Sequence, residues 1–320
     1  MSSILAVTFP FFALVLCGYL AAHRRYLPES AIPGLNGFVL FFALPCMLFR
    51  FGSSMPFAQL IDPWLAAIYA VCALVIVGGT IAATRHQVVL KDAAFGALVA
   101  AFPNTGFMGV PLLVAVLGQA AAGPVITTIL VDLVLTSSLC IAVAESHAPH
   151  GPGPSPLARA LRGAFSNPLP WAIGLGAAKA ASGIVFPGPV DQVIKMLADA
   201  ASPVALFTIG AVLWRAGQHT HTRTPVAHYL PVSLVKLFVH PLLVLGLGFG
   251  ARAAGADVPL FGLTVLALAA ALPSASNVSM LAERHGADNG RVARIIMAST
   301  VLSFLTFSGF ASLTRPLLAQ

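Results

Sequence analysis

Long apolar runs cover nearly the whole 320-residue chain, broken only by short stretches of charge, proline or glycine. A helix needs about 20 mostly apolar residues to cross a bilayer. Within lipid, only helices and closed barrels satisfy their own backbone hydrogen bonds. Ten windows read as crossings: 3–22, 35–50, 64–84, 92–117, 123–145, 167–186, 190–214, 226–252, 259–285 and 290–313. They run too long for the roughly 10-residue alternating strands of a membrane barrel. Only 8% of residues are charged, against about 25% in soluble domains, and the mean hydropathy is +0.92. A surface so poor in charge excludes a cytosolic enzyme, a disordered regulator and a secreted disulfide scaffold. The fold expected is an all-α polytopic membrane protein.

Orientation follows from where the basic residues fall, because Lys and Arg are retained on the cytoplasmic side. The breaks after the odd-numbered windows hold Arg24, Arg25, Arg85, Lys91, Arg159, Arg162, Arg215, Arg223, Arg284, Arg291 and Arg294. The opposite side holds Arg50, Arg252 and Arg315. This places the protein in the inner (plasma) membrane with both termini periplasmic. The net charge of +7 reflects that orientation, and no nucleic-acid partner is expected. Arg24 and Arg25 follow the apolar stretch Ile4–Leu20, the reverse of a signal peptide's order, so the first window is read as a retained helix in contact with lipid. Cys17, Cys46, Cys72 and Cys140 each stand alone in apolar surroundings and read as packing residues, with no metal site implied.

The longest polar break, 146–166, contains Pro149, Gly151, Pro152, Gly153, Pro154 and Pro156. It reads as a flexible cytoplasmic linker between two halves, 1–145 and 167–320. The halves resemble one another. Ala43, Pro45, Leu48 and Phe49 match Ala201, Pro203, Leu206 and Phe207, and at the same offset Pro10 and Gly18 fall on Pro168 and Gly176. Further along, Ala97, Leu98, Ala100, Ala101 and Pro103 match Ala267, Leu268, Ala270, Ala271 and Pro273. Five windows per half is odd, so the repeats must be inverted in the membrane, as in many secondary transporters.

The fourth and ninth windows carry the chemistry. The fourth reads Phe102-Pro103-Asn104-Thr105-Gly106-Phe107-Met108-Gly109-Val110-Pro111 and the ninth Leu272-Pro273-Ser274-Ala275-Ser276-Asn277. Proline removes a donor and clashes with the carbonyl four residues back, so both helices are expected to break halfway, near the bilayer midplane. The polar residues that follow suit the N-caps of restarting half-helices. Two half-helix starts meeting there would present unpaired N–H groups and positive dipole ends, which favour an anion and especially a carboxylate. Asn104, Thr105, Gly106, Ser274, Ser276 and Asn277 are the candidate ligands, with Pro103 and Pro273 as the breaks. A single such proline would read equally well as a kink. No acidic residue lies in either break, which disfavours a cation site.

Ionisable residues inside crossings are costly and mark function by default. Asp132, Asp199, Lys236 and His240 lie within windows five, seven and eight. They are candidates for proton or sodium coupling or for balancing the substrate's charge, with structural pairing as the alternative. Glu283, Arg284 and His285 read as an interfacial anchor. No P-loop, dinucleotide fingerprint, HExxH, GxSxG or zinc spacing is present, so neither an enzyme nor a cofactor is expected.

The set Leu35-Asn36-Gly37-Phe38-Val39 through Leu44-Pro45, Pro103-Asn104-Thr105-Gly106 with Gly109-Val110-Pro111, and Ala271-Leu272-Pro273 with Asn277 resembles the auxin efflux carrier family. The resemblance spans the chain. Within the family, Ala271 through Arg284 is most similar to the bacterial malonate carriers. It implies ten helices in two inverted five-helix repeats, helices four and nine crossing at their prolines, a homodimer, and elevator-like transport of organic anions. Plant members carry a long loop where this chain has about twenty residues. Two other readings stay open: a cation/proton antiporter on a similar plan, and a transporter-like anion receptor. A cysteine placed at Gly151 in a cysteine-free background should react only with reagent that reaches the cytoplasm. Modification from the periplasmic side would invert the topology.

Overall fold

In a computed structural model the described residues are 2–54, 60–146, 155–218, 224–314 and 317. Among them the chain forms helices and no strand. In order these are α1 (Ser2–His23), α2 (Ala31–Ser53), α3 (Pro63–Thr84), α4 (Leu90–Ala101), α5 (Thr105–Leu117), α6 (Gln119–Glu145), α7 (Pro156–Phe165), α8 (Pro168–Ser182), α9 (Gly188–Gln218), α10 (Val226–Ala253), α11 (Leu260–Ala270), α12 (Asn277–Arg284) and α13 (Asn289–Thr314).

Seven are long and apolar enough to cross a membrane: α1, α2, α3, α6, α9, α10 and α13. Three of the ten expected windows therefore differ from a single long helix. Windows 92–117 and 259–285 are each divided into two short helices, α4 with α5 and α11 with α12. Window 167–186 holds the 15-residue α8, which stops at Gly183, whose φ of +67° is readily adopted by glycine. In the segment read as a flexible linker, Pro156–Phe165 is helical, while residues 147–154 lie outside the described residues.

Local chemistry sets several ends. Asp62 accepts from the Leu65 N–H at 3.0 Å and Asn167 from the Leu169 N–H at 3.0 Å. Each is followed by a proline in the first turn, where the missing N–H costs nothing. At the start of α13, Asp288 accepts from the Arg291 N–H at 2.9 Å. The buried Arg291 guanidinium then donates to the carbonyls of Asp92 and His228, each at 2.9 Å, tying α4, α10 and α13 together. Gly96 leaves the room, since a Cβ there would lie 2.6 Å from an Arg291 nitrogen.

Packing separates two groups of helices. One comprises α1, α2, α8 and α9; the other comprises α3, α4, α6, α10, α11 and α13. The first is held by glycines at close backbone approach. A Cβ at Gly18 would overlap the Phe207 carbonyl oxygen, and one at Gly176 would overlap the Phe49 carbonyl oxygen. Gly210 meets the Val15 carbonyl in the same way, and Gly52 meets that of Ile173. These contacts come as two matched pairs. Replacing Gly18 by Gly176, Phe49 by Phe207, Val15 by Ile173 and Gly52 by Gly210 converts each contact into its partner. Small residues let helices approach closely in lipid, where no hydrophobic force drives them together.

Overpacking a close interface costs about 1–3 kcal/mol. Gly18→Ala and Gly210→Ala should each lower the thermal midpoint of the detergent-solubilised protein by several degrees. Gly78→Ala, where nothing lies within 4 Å, should leave it unchanged. Equal midpoints in all three variants would remove the glycine contacts as a source of stability.

Candidate functional site

The two divided helices meet where they break. Pro103 and Ser274 pair as a single antiparallel bridge. The Asn104 N–H donates to the Pro273 carbonyl at 2.8 Å, and the Ala275 N–H donates to the Phe102 carbonyl at 3.0 Å. Part of the backbone freed by the prolines is thus satisfied across the crossing. Ser274 completes the joint. Its hydroxyl donates to the Val99 carbonyl in the last turn of α4 at 2.7 Å, and its N–H donates to the Ser299 hydroxyl of α13 at 3.1 Å.

Asn104 and Ser276 occupy the residue before each restarting helix, as the sequence suggested, but neither side chain caps it. Among the described residues, none accepts from the N–H groups of Gly106, Phe107, Ser276 or Asn277. The starts of α5 and α12 therefore carry open donors at the crossing. Gly106 has no atom within 4 Å of a would-be Cβ, whereas Gly109 is closed by Leu272.

A cavity of about 780 Å³ reaches the crossing. Phe102 and Phe107 line it on the α4–α5 side, and Asn277 lines it on the α12 side. Farther out its wall includes Asn36, Ser137, Arg162 and Arg284. Of the six candidate ligands, Asn277 lines this cavity. Asn104, Thr105, Ser274 and Ser276 are buried in the crossing behind it, and Gly106 is part-buried. The structure thus assigns Ser274 to holding the crossing.

The four candidate ionisable residues separate. Asp132, Lys236 and His240 are fully buried, side by side, behind the crossing. Asp199 does not join them. It lies on an exposed face of α9 and meets Arg50 at 3.5 Å, because the first turns of α9 have few neighbours. Such exposed pairs contribute little.

Sequence reasoning missed several residues. Tyr69, the hydrogen-bond partner of Asp132, and Ser299 stand in ordinary apolar helices with no local signal. Arg284 and His285, read as an anchor, instead help to line the cavity, and His285 Nδ1 lies 2.8 Å from Glu145. Their i, i+7 and i, i+8 spacing from Asn277 on one helical face was the available clue.

Comparison with known proteins identifies the family. Residues 3–311 match the family described as membrane transport protein. A Rhizobium meliloti protein named "Putative malonate transporter" is 31% identical over 98% of this chain and 97% of its own. An uncharacterized transporter of Methanothermobacter thermautotrophicus is 28% identical over 92% of each chain. The uncharacterized transporter YfdV of Escherichia coli is 26% identical, again over 92% of each. The chain belongs to this membrane transport family, the auxin efflux carrier family that its motifs resemble.

Cavity access can be measured directly. In a background lacking Cys17, Cys46, Cys72 and Cys140, cysteines at Ser137 and Asn277 should react with a small polar maleimide. One at Ser299, which is fully buried, should not. Equal labelling at all three positions would show that the crossing is open to water throughout.

Proposed function

We propose that this family member is a secondary active transporter of a small organic anion, a dicarboxylate such as malonate, working by alternating access with an elevator-like motion. The observation that carries this reading is the pair of open helix starts at the crossing. Unpaired N–H groups and the positive ends of two helix dipoles converge there. Such a site accepts anions, carboxylates among them.

In this reading one carboxylate lies against the N–H groups of Gly106 and Phe107 beside Asn104 and Thr105. The second lies against Ser276 and Asn277. Arg284, on the same face of α12 and farther out along the cavity, attracts the anion toward the site. The relative named for malonate supports a short dicarboxylate.

Ten crossings in two inverted five-helix repeats are part of the same proposal. The matched glycine contacts support it, because one shift in numbering exchanges them. So does the equivalence of the two proline breaks. The separation of α1, α2, α8 and α9 from the crossing group supports a static and a moving part. With the basic loops on the cytoplasmic side, the cavity beside Arg162 and Arg284 would open inward.

A cation/proton antiporter would need a carboxylate facing the crossing. Asp132 instead accepts from Tyr69 and Thr136, and Asp199 is elsewhere, so the anion reading is favoured.

Binding of a carboxylate panel to the purified protein by calorimetry tests the site. Hydrogen bonds to charged groups contribute about 1.5–3 kcal/mol. Asn104→Ala and Asn277→Ala should therefore each weaken malonate affinity by about 10- to 150-fold while the protein stays folded. Asn104→Asp, which sets a like charge against the ligand, should be worse than Asn104→Ala. Wild-type affinity in both alanine variants would move the anion away from the crossing.

A further inference from the structure

Among the described residues, the most deeply buried ionisable groups lie outside the proposed anion site. Asp132 accepts from the Tyr69 hydroxyl at 3.0 Å through one carboxylate oxygen. Through the other it accepts from the Thr136 hydroxyl at 3.1 Å. The Tyr69 ring lies against the His240 ring, with centroids 5.6 Å apart. One turn earlier on α10, the Lys236 ammonium lies 3.5 Å from His240 Nδ1 and donates to the Ala270 carbonyl. His240 Nε2 has no hydrogen-bond partner among the described residues. Carboxyl, phenol, imidazole and ammonium therefore form a chain from α6 through α3 and α10 to α11. It ends on Ala270, the last residue of α11, immediately before the crossing.

The backbone singles out the same place. Among the described residues, four five-residue turns are widened to π-helical geometry: Val39–Ala43, Thr105–Gly109, Asp132–Thr136 and Val235–Val239. Three of them end two residues before a proline, namely Pro45, Pro111 and Pro241. A proline ring clashes with the carbonyl four residues back. That carbonyl belongs to Phe41, Phe107 or Leu237, inside the widened turn each time. The turn at Asp132 has Ser138 where the proline would stand. Its widening has no proline to account for it, and it opens on the buried acid. Single π turns within α-helices gather at functional sites.

We infer that Tyr69, Asp132, Lys236 and His240 form a buried proton-carrying cluster, linked through the Ala270 carbonyl to the crossing, so that anion binding takes up a proton there. The inference rests on the reading of the crossing as the anion site. An anion entering a poorly screened interior raises the favourable energy of adding a proton nearby. Asp132 and His240 can each receive one without a counter-ion entering. The linkage is reciprocal, so the proton must in turn tighten anion binding. Lys236 acts as a positioning residue, because its ammonium holds both the histidine and the end of α11.

The groups able to titrate around the cluster are few. Helix α3 adds Cys72 beside Tyr69, and α6 adds Cys140 near Asp132. Helix α11 offers only its carbonyl. The charged groups of α4 and α13 (Lys91, Asp92, Arg291 and Arg294) sit in the first two turns of those helices, away from Lys236.

The test is malonate calorimetry on the full-length protein in two buffers of different ionisation enthalpy, at about pH 7.5, where simple carboxylic acids are ionised. Wild type should take up close to one proton per malonate bound, and its affinity should rise as the pH is lowered toward 7. Asp132→Asn should still bind malonate with the proton uptake lost, and Asp132→Glu should restore it. Tyr69→Phe, which removes one hydroxyl and keeps the packing, should reduce the uptake and guards against a misfolded Asp132 variant. Malonate binding by wild type without proton uptake, or uptake unchanged in both Asp132→Asn and Tyr69→Phe, would overturn the cluster and leave the anion site standing. Absence of malonate binding by wild type would instead overturn the anion reading, and this inference with it.

Discussion

A backbone interrupted inside an apolar bundle has no water to turn to, and every other feature of this molecule follows from how that demand is met. Two interruptions satisfy each other. Asn104 bonds to Pro273, Ala275 to Phe102, and Ser274 to both Val99 and Ser299. The exchange is incomplete in a particular way. Carbonyls on the α4 and α11 sides are taken, Val99 by Ser274 and Ala270 by Lys236, while N–H groups at the starts of α5 and α12 are left open. The starts of α5 and α12 are therefore short of acceptors for their donors. A negative ligand, as proposed above, would supply those acceptors.

The four short helices are stitched at one point, and Arg291 binds α4 to α10 and α13 at their ends. The other group, α1 with α9 and α2 with α8, is fastened differently, by glycines set against carbonyls. Backbone contacts of that kind leave little slack. Between α2 and α12 the contact is of another kind, the Asn36 side chain donating to the Met280 sulfur. Glycine-closed backbone contacts on one side and a flexible side-chain contact on the other suit the sliding proposed above.

Much of this was legible in the sequence, for identifiable reasons. The breaks were visible because proline acts locally and predictably. The helical nature of the bundle was visible because lipid permits almost nothing else. The division of windows four and nine was expected from those same prolines, whereas the early stop of α8 at Gly183 was not. Ser274 was read as a ligand because a hydroxyl beyond a proline looks available; only the packed structure reveals the Val99 carbonyl waiting for it. Asp199 looked like Asp132 in sequence, each being one acid in an apolar run. Burial separates them, and burial depends on neighbours such as Tyr69 that lie 63 positions away. The π turns fall between these cases. Three are announced by prolines two residues downstream, and the one at Asp132 is not.

In the proposed transporter the widened turn also decides what an anion meets on entering. On α6, Leu133 and Ser137 line the cavity wall, while Asp132 and Thr136 close on one another behind it. The acid is kept one layer back, where it can respond to the ligand's charge through the protein without confronting it across open space. Glu145, the carboxylate that lines the cavity, is held against His285, so its charge is partly answered on the spot. An exchanger of cations would need the opposite arrangement, with the acid forward and the basic groups withdrawn. Here Arg284 and Arg162 stand toward the cavity and the carboxyl of Asp132 stands behind, so the electrostatic order from mouth to interior runs attraction, dipole, proton. That order suits a ligand that arrives as a dianion and must be accommodated in a medium that tolerates net charge poorly.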